Sequence, residues 1–165
     1  MSFLLRSNWK VYILVFSKIL VPVDGSSHSN RAVEYASEIA LKFNSRLILL
    51  HVYSFIPPVS PTLNLPGTSN YDVLSAETIN ILSEKAKKDA NKILIKAKKF
   101  SKIKNVTCLL REGVTVPEIL QVAETEKIDM IVMGARGVTG LRKMVLGSKS
   151  QEIANKASCP VMIVK

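Results

Sequence analysis

Five short apolar segments, separated by stretches of helical periodicity, constrain the fold of this chain more than any other feature of its sequence. The first, KILVPVD at 18–24, is a nearly continuous run of branched apolar residues that ends in a polar turn. Such a run is typical of a parallel strand buried on both faces. Similar runs occur at 46–54, 105–112, 128–134 and 159–165. The sequence therefore predicts five strands.

The segments between these runs carry apolar residues at three- and four-residue spacing. After the first strand this pattern predicts a helix that has Ser29 as its N-cap and continues to Phe43. A long helix is predicted over 79–100, with its lysines on the side opposite the apolar residues. The segment 55–70 before it contains four prolines and is predicted to be an excursion loop.

Two capping-box patterns mark the starts of the last two helices. Thr115 and Glu118 are spaced to open a short helix that extends through Ala123, and Ser148 with Gln151 has the same spacing. The chain therefore alternates strand and helix from beginning to end.

This alternation predicts an α/β fold, because right-handed crossovers between parallel strands place helices on both faces of the sheet. We expect a single-domain, three-layer sandwich with a five-stranded, mainly parallel sheet. The length of 165 residues suits one domain. In such sheets ligands bind beyond the carboxyl ends of the strands, where the strand order reverses, and Asp24 and Gly134 lie at two predicted strand ends.

Residues 1–16 precede the first predicted strand and have the polarity of a targeting segment. Two basic residues come before the apolar run 11–16, but this run is too short to span a bilayer and no small-residue cleavage site follows it. We interpret 1–16 as an N-terminal extension of unknown role and 17–165 as the folded domain. An interfacial anchor is the alternative.

The formal net charge of +10 is concentrated in one predicted helix. Most lysines lie between Glu84 and Lys104, where apolar residues separate them, so the segment has the pattern of a solvated helix face. Aromatic or arginine-rich groups, which nucleic-acid-binding surfaces usually add, are missing there.

Cys108 and Cys159 match neither a zinc pattern nor a redox pair, so we expect buried, reduced thiols and a cytoplasmic location.

The segment MGARGVTGLRKMVLGSKS, residues 133–150, is the strongest candidate for a binding site. It lacks the Walker and dinucleotide-binding spacings. It nevertheless combines a glycine-rich turn after a buried strand with a helix start at Ser148, which is the arrangement of an anion site. The structural alternative is that Gly134 and Gly137 shape a turn, Gly140 adds flexibility and Ser148 caps the helix. The cations Arg136, Arg142, Lys143 and Lys149 and the hydroxyl of Ser150 favour phosphate.

Three segments share a pattern with one known family: ILVPVDGS near the start, GARG followed after nine residues by GS, and CPVMIV at the end. On these segments the sequence resembles the universal stress proteins over 16–165. Gly134, Gly137, Gly147 and Ser148 keep the family signature G-x2-G-x9-G-[ST]. This signature marks the branch of the family that binds ATP or related adenine nucleotides. The resemblance implies a Rossmann-like fold of the adenine nucleotide alpha hydrolase type.

The resemblance also implies where a nucleotide would bind. Asp24 would help to hold the adenosine, and the main chain of Val52 would meet the adenine. Residues 133–137 would border the ribose and phosphates, and 147–150 would donate hydrogen bonds to the phosphate chain. The implied binding residues are Pro22, Val23, Asp24, Val52, Met133, Gly134, Arg136, Gly137, Gly147, Ser148, Lys149 and Ser150. The charge of Asp24 would repel phosphates, so these belong at the glycine end.

No set of residues in the sequence suits phosphoryl transfer, and no catalytic residue or protein metal site is assigned. His28 is interpreted as a solvated loop residue and His51 as a structural one. Mg²⁺ would be held through the nucleotide phosphates, because one carboxylate, Asp24, does not make a metal site.

The leading hypothesis is a cytoplasmic, adenine-nucleotide-binding regulatory protein of the stress response, with ATP or AMP as its ligand. The resemblance implies a homodimer that pairs through the C-terminal strand, PVMIVK, and an unknown regulatory protein partner. Neither nucleic acid nor a membrane is expected as a partner. A basic nucleic-acid-binding scaffold and a slow ATPase are the alternatives.

Overall fold

A computed structural model describes residues 16–57, 75–137 and 146–165. The strands are β1 (Lys18–Pro22), β2 (Arg46–Tyr53), β3 (Thr107–Glu112), β4 (Met130–Gly134) and β5 (Val161–Val164). The helices are α1 (Ser27–Phe43), α2 (Ala76–Lys98), α3 (Thr115–Thr125) and α4 (Ser148–Lys156). The predicted alternation of strand and helix is therefore confirmed, with boundaries that shift by a few residues.

The five strands form one sheet in the order β3-β2-β1-β4-β5, and every neighbouring pair is parallel. The chain builds outward from β1 to β3, then returns to the other side of β1 and continues to β5. The strand order therefore reverses between β1 and β4. This is the position where open parallel sheets bind ligands.

Two apolar layers cover the sheet, which explains why the strands are apolar at nearly every position. Ile19 and Val21 of β1 pack into one layer with α1 and α2, whereas Leu20 packs into the other layer with α3 and α4. The same alternation places Leu49 and Leu50 of β2 on opposite faces. The predicted three-layer α/β sandwich is confirmed.

The start of α1 differs from the prediction. Ser26, not Ser29, is the N-cap, and its Oγ accepts a hydrogen bond from the Ser29 amide at 3.1 Å. Ser29 lies buried in the first turn and donates its own hydroxyl to the Ser26 carbonyl at 2.9 Å. Gly25, at φ +83°, turns the chain early enough to make Ser26 the cap.

Both predicted capping boxes are wrong by one residue. Val114 is the N-cap of α3 and Gly147 is the N-cap of α4, and neither helix has a capping hydrogen bond from a side chain. Thr115 and Ser148 are instead the first helical residues. At that position their hydroxyls do not accept a hydrogen bond from a first-turn amide, as an N-cap hydroxyl would. The first-turn amides of both helices consequently lack a side-chain acceptor from the cap.

The prediction of two buried thiols is wrong for Cys108, which lies exposed on β3 because this strand is an edge of the sheet. Cys159 is half-buried, and both cysteines are free. The predictions for 1–15, for most of the proline-rich loop, and for Gly140, Arg142 and Lys143 lie outside the described residues. Within the described ranges, no helix combines the length and apolar character that a membrane span requires.

Candidate functional site

A cleft opens at the carboxyl ends of β1, β2 and β4, where the strand order reverses. Most of the predicted binding residues line it: Pro22, Val23, Asp24, Val52, Met133, Gly134, Arg136, Gly137, Lys149 and Ser150. Gly147 and Ser148 directly precede Lys149 and Ser150 at the start of α4 but do not line the cleft. The fold thus brings together residues that are up to 128 positions apart in the chain, from Pro22 to Ser150.

The cleft also contains residues that the sequence analysis did not assign to a site: Ser29, Leu50, His51, Thr115, Ile119 and Ile153. Leu50, Ile119 and Ile153 have the spacing of ordinary core residues, and they do belong to the apolar layer under α3 and α4. No local pattern separates a core residue that also faces a cleft from one that does not. These three residues give the cleft an apolar wall.

Asp24 lies at the exit of β1, and a local turn orients its carboxylate. Oδ1 of Asp24 accepts a hydrogen bond from the Ser26 amide at 3.0 Å, which is the geometry of an Asx turn. Asp24 therefore has a turn-forming role at this position. The same hydrogen bond fixes the carboxylate at the edge of the cleft.

The three described glycines of the signature all have neighbours that leave little room for a side chain, and none has a left-handed φ. A Cβ on Gly134 would lie 2.8 Å from the carbonyl carbon of His28 and 2.9 Å from the Ser29 nitrogen. Gly134 therefore lets the first turn of α1 approach β4 closely. A Cβ on Gly147 would lie 3.1 Å from the Ala135 carbonyl oxygen.

The backbone of Ala135 connects α4 to the sheet. Its N–H donates to the Val164 carbonyl at 2.7 Å, and its carbonyl accepts from the Gly147 amide at 2.8 Å. The hydroxyl of buried Ser150 lies 3.2 Å from the Gly134 carbonyl oxygen and 3.1 Å from that of Ala135. The Ser150 hydroxyl therefore donates within the protein, which leaves its backbone N–H as the donor toward a ligand.

The cleft is lined by groups of both charges. The start of α4 forms one side of it, and the first turn of this helix contains Lys149 and no acidic residue. Lys149 Nζ donates to Thr115 Oγ1 at 3.1 Å, which holds the cation over the gap between α3 and α4. The carboxylate of Asp24 lies at the exit of β1, beside Gly137. Such a cleft can hold an anion at the start of α4 and a hydroxyl or amine at the exit of β1.

The histidines, cysteines and acidic residues do not form a cluster that could hold a metal ion in the part of the chain that the structure describes. His51 is buried, and its Nδ1 lies 2.6 Å from the Val23 carbonyl oxygen, so we assign the proton to Nδ1. His51 thus ties β2 to the end of β1, as expected of a structural residue. His28 packs against Gly134 in the first turn of α1 instead of lying in a solvated loop.

Comparisons with known proteins agree with this architecture. The model of the universal stress protein family matches residues 16–165. The universal stress protein MJ0531 of Methanocaldococcus jannaschii is 35% identical over 154 residues, which cover 92% of this chain and 83% of that protein.

Solved structures of related proteins have the same fold. That of the protein MJ0577, also from Methanocaldococcus jannaschii, superposes with a TM-score of 0.70 at 26% identity and covers 92% of this chain and 96% of its own. A universal stress protein in complex with cAMP superposes with a TM-score of 0.58 at 25% identity, covering 92% and 98%. The extent of these matches, together with the switch-point cleft, shows that this chain belongs to the universal stress protein family.

Proposed function

We propose that this protein binds an adenine nucleotide, ATP or AMP, in the cleft at the carboxyl ends of β1, β2 and β4. The observation that carries the proposal is the mixed lining of the cleft: the Asp24 carboxylate at the exit of β1, an apolar wall, and Lys149 with uncapped amides at the start of α4. Each part complements one part of a nucleotide, because the carboxylate suits a ribose hydroxyl, the wall a base, and the amides and cation a phosphate chain.

In this arrangement the base and ribose lie between β1 and α3. Asp24 accepts a hydrogen bond from a ribose hydroxyl, and the adenine packs along Val52, Met133 and the apolar wall. The aliphatic side chains exclude water from the base. The Asp24 carboxylate also disfavours a reversed nucleotide, because phosphates placed beside it would be repelled.

The phosphates lie at the start of α4. The first-turn amides of Ser148, Lys149 and Ser150 have no capping side chain, so an anion can accept from them and gain from the helix dipole. Arg136 and Lys149, which both line the cleft, add positive charge. Mg²⁺, where present, is held through the nucleotide phosphates, because the described residues offer no metal-binding cluster of their own.

The complex of a related universal stress protein with cAMP supports an adenine nucleotide as the ligand class. We further propose a regulatory role in the stress response and a cytoplasmic location, in line with family membership. The protein pairs as a homodimer through β5, an edge strand with apolar residues. Nucleotide binding then changes the surface that a regulatory protein partner recognises, because the ligand favours one of two states.

Mass spectrometry of nucleotide extracted from freshly purified protein, followed by isothermal titration with ATP and AMP, tests the proposal. We expect saturable binding that weakens in Asp24→Ala and in Gly137→Ala. Absence of binding for both nucleotides would reject it. Salt-sensitive nucleic-acid binding that Gly137→Ala leaves unchanged would favour the basic scaffold, and phosphate release that depends on Gly147 and Ser148 would favour the slow ATPase.

A further inference from the structure

The outward face of α2 carries a row of exposed lysines. Five lysines recur at three- and four-residue spacing along α2 and its C-cap, so they share one side: Lys85, Lys88, Lys92, Lys96 and the C-cap Lys99. All five are exposed. The opposite side of α2, which includes Ala90, Leu94 and Ala97, packs into the core.

Two isoleucines lie within this row of lysines. Ile81 is 62% exposed and Ile95 is 56% exposed, so neither side chain is buried in the core. They are fourteen positions apart, which corresponds to about 21 Å along the helix. We call the five lysines and these two isoleucines the α2 stripe. Ile81 and Ile95 distinguish the stripe from an ordinary solvated helix face.

The stripe remains positively charged although three acidic residues lie on or beside it: Glu77 and Glu84 flank Ile81, and Asp89 lies near the middle. Asp89 borders it and pairs with Lys92 at 2.8 Å, and this hydrogen bond, with the charge of Lys92, holds the pKa of Asp89 below its usual value. Glu84 lies 4.0 Å from Lys87, which is outside the stripe. Four of the five stripe lysines therefore have no ion pair among the described residues.

We propose that the α2 stripe binds the surface of an anionic lipid bilayer. Lysines supply attraction to acidic headgroups without demanding a defined geometry, and their aliphatic stems can lie along the interface while the ammonium groups stay in water. Ile81 and Ile95 insert between the headgroups on either side of the central lysines. This surface is independent of the nucleotide cleft, and it revises the expectation from sequence that this face is only solvated.

A duplex or single-stranded nucleic acid fits the stripe less well. The stripe contains no arginine for bidentate contact with bases or phosphates, and no aromatic ring on which bases can stack. Two exposed isoleucines would face a phosphate backbone without any favourable contact. On a bilayer, the same isoleucines gain from leaving water.

Placement in the fold leaves the stripe accessible. α2 packs on β2 and β3, at the end of the sheet opposite β5. A dimer that pairs through β5 would therefore keep the α2 stripe exposed on each protomer. Membrane binding and dimerisation are consequently compatible.

Co-sedimentation of the full chain with phosphatidylcholine vesicles, with and without phosphatidylglycerol, tests the proposal. We expect binding only to vesicles that contain the anionic lipid, and a loss of binding as salt is raised. The double variant Lys88→Gln/Lys92→Gln should bind about 10-fold to 30-fold more weakly, since each lysine near such a surface contributes about 5-fold. The control Lys104→Gln/Lys156→Gln removes the same charge elsewhere and should reduce binding less.

The isoleucines separate a bilayer from other anions. Ile81→Ser/Ile95→Ser should weaken vesicle binding by about 10-fold, whereas Leu41→Ser, at a residue of α1 that is 57% exposed, should not. Circular dichroism and thermal unfolding establish that each variant is folded. Equal binding to neutral vesicles would overturn the proposal. So would duplex DNA binding that depends on Lys88 and Lys92 but not on the isoleucines, together with no vesicle binding.

Discussion

Gly137 and Asp24 lie so close together that a Cβ on Gly137 would be 2.6 Å from Oδ2 of Asp24. The two residues stand at the exits of the two strands between which the sheet order reverses. The segment that follows β4 therefore passes close to the Asp24 carboxylate at the exit of β1. A side chain at position 137 would displace this carboxylate, and the consequence differs from that of filling the space at Gly134.

Gly134→Ala should destabilise the protein by about 1–3 kcal/mol, because the added methyl group meets the backbone of His28 and Ser29, which cannot move without shifting α1. Gly137→Ala should cost about 1 kcal/mol, since the Asp24 side chain can rotate away at the expense of its hydrogen bond to Ser26. Urea unfolding measures both.

The double variant Asp24→Ala/Gly137→Ala provides the control for this contact. In the Asp24→Ala background the carboxylate is gone, so Gly137→Ala should have almost no further effect on the free energy of unfolding. An undiminished effect would show that the methyl group added at position 137 acts through some other neighbour.

Lys149→Gln should weaken ATP binding by about 10-fold or more, because a charge-assisted hydrogen bond contributes about 1.5–3 kcal/mol. AMP binding should weaken less, since AMP has fewer phosphate charges. Lys156→Gln is the matched control: it lies in the last turn of the same helix and pairs with Glu152 at 2.7 Å. Isothermal titration compares the two variants, and equal losses would exclude a specific role for Lys149.

Ile163→Pro should convert the proposed homodimer into monomers. The carbonyls of Pro160 and Val164 accept hydrogen bonds from β4, so the alternate residues Val161 and Ile163 direct their backbone groups toward the free edge of β5. Proline at 163 removes an N–H from this edge but none from the ladder with β4. Light scattering measures the mass, with Ile163→Val as the control. A variant that remains dimeric would place the interface elsewhere.

The two thiols should react slowly with iodoacetamide. Desolvation by neighbouring atoms raises the pKa of Cys108 even though this residue lies on the exposed edge strand. Desolvation also raises the pKa of half-buried Cys159, to which the charge of Asp129 adds. A raised pKa lowers the thiolate fraction at any given pH, so alkylation should continue to accelerate at pH values where an ordinary thiol has reached its plateau. Peptide mapping follows each site, and the protein unfolded in urea gives the reference rate. A plateau at the ordinary thiol pKa would contradict the expectation.

Local periodicity was sufficient to predict the architecture. A strand buried on both faces must be apolar at successive positions, and a helix with one buried side must repeat its apolar residues every three to four positions, so both signals are present in short stretches of sequence. The glycine spacing similarly pointed to the family and to the loop after β4. These features depend on neighbours in the chain, or on a motif that the chain itself displays.

Contacts between distant segments decided the remaining features. Which of Ser26 and Ser29 caps α1 depends on where Gly25 turns the chain, and Gly134 is required because α1 packs across β4. The interaction of Lys149 with Thr115 likewise depends on how α3 and α4 pack. None of these pairings has a periodic signature, because each is set by how elements meet in space. The sequence by itself determined the layers and the order of elements, and the tertiary structure determined which side chains form the cleft.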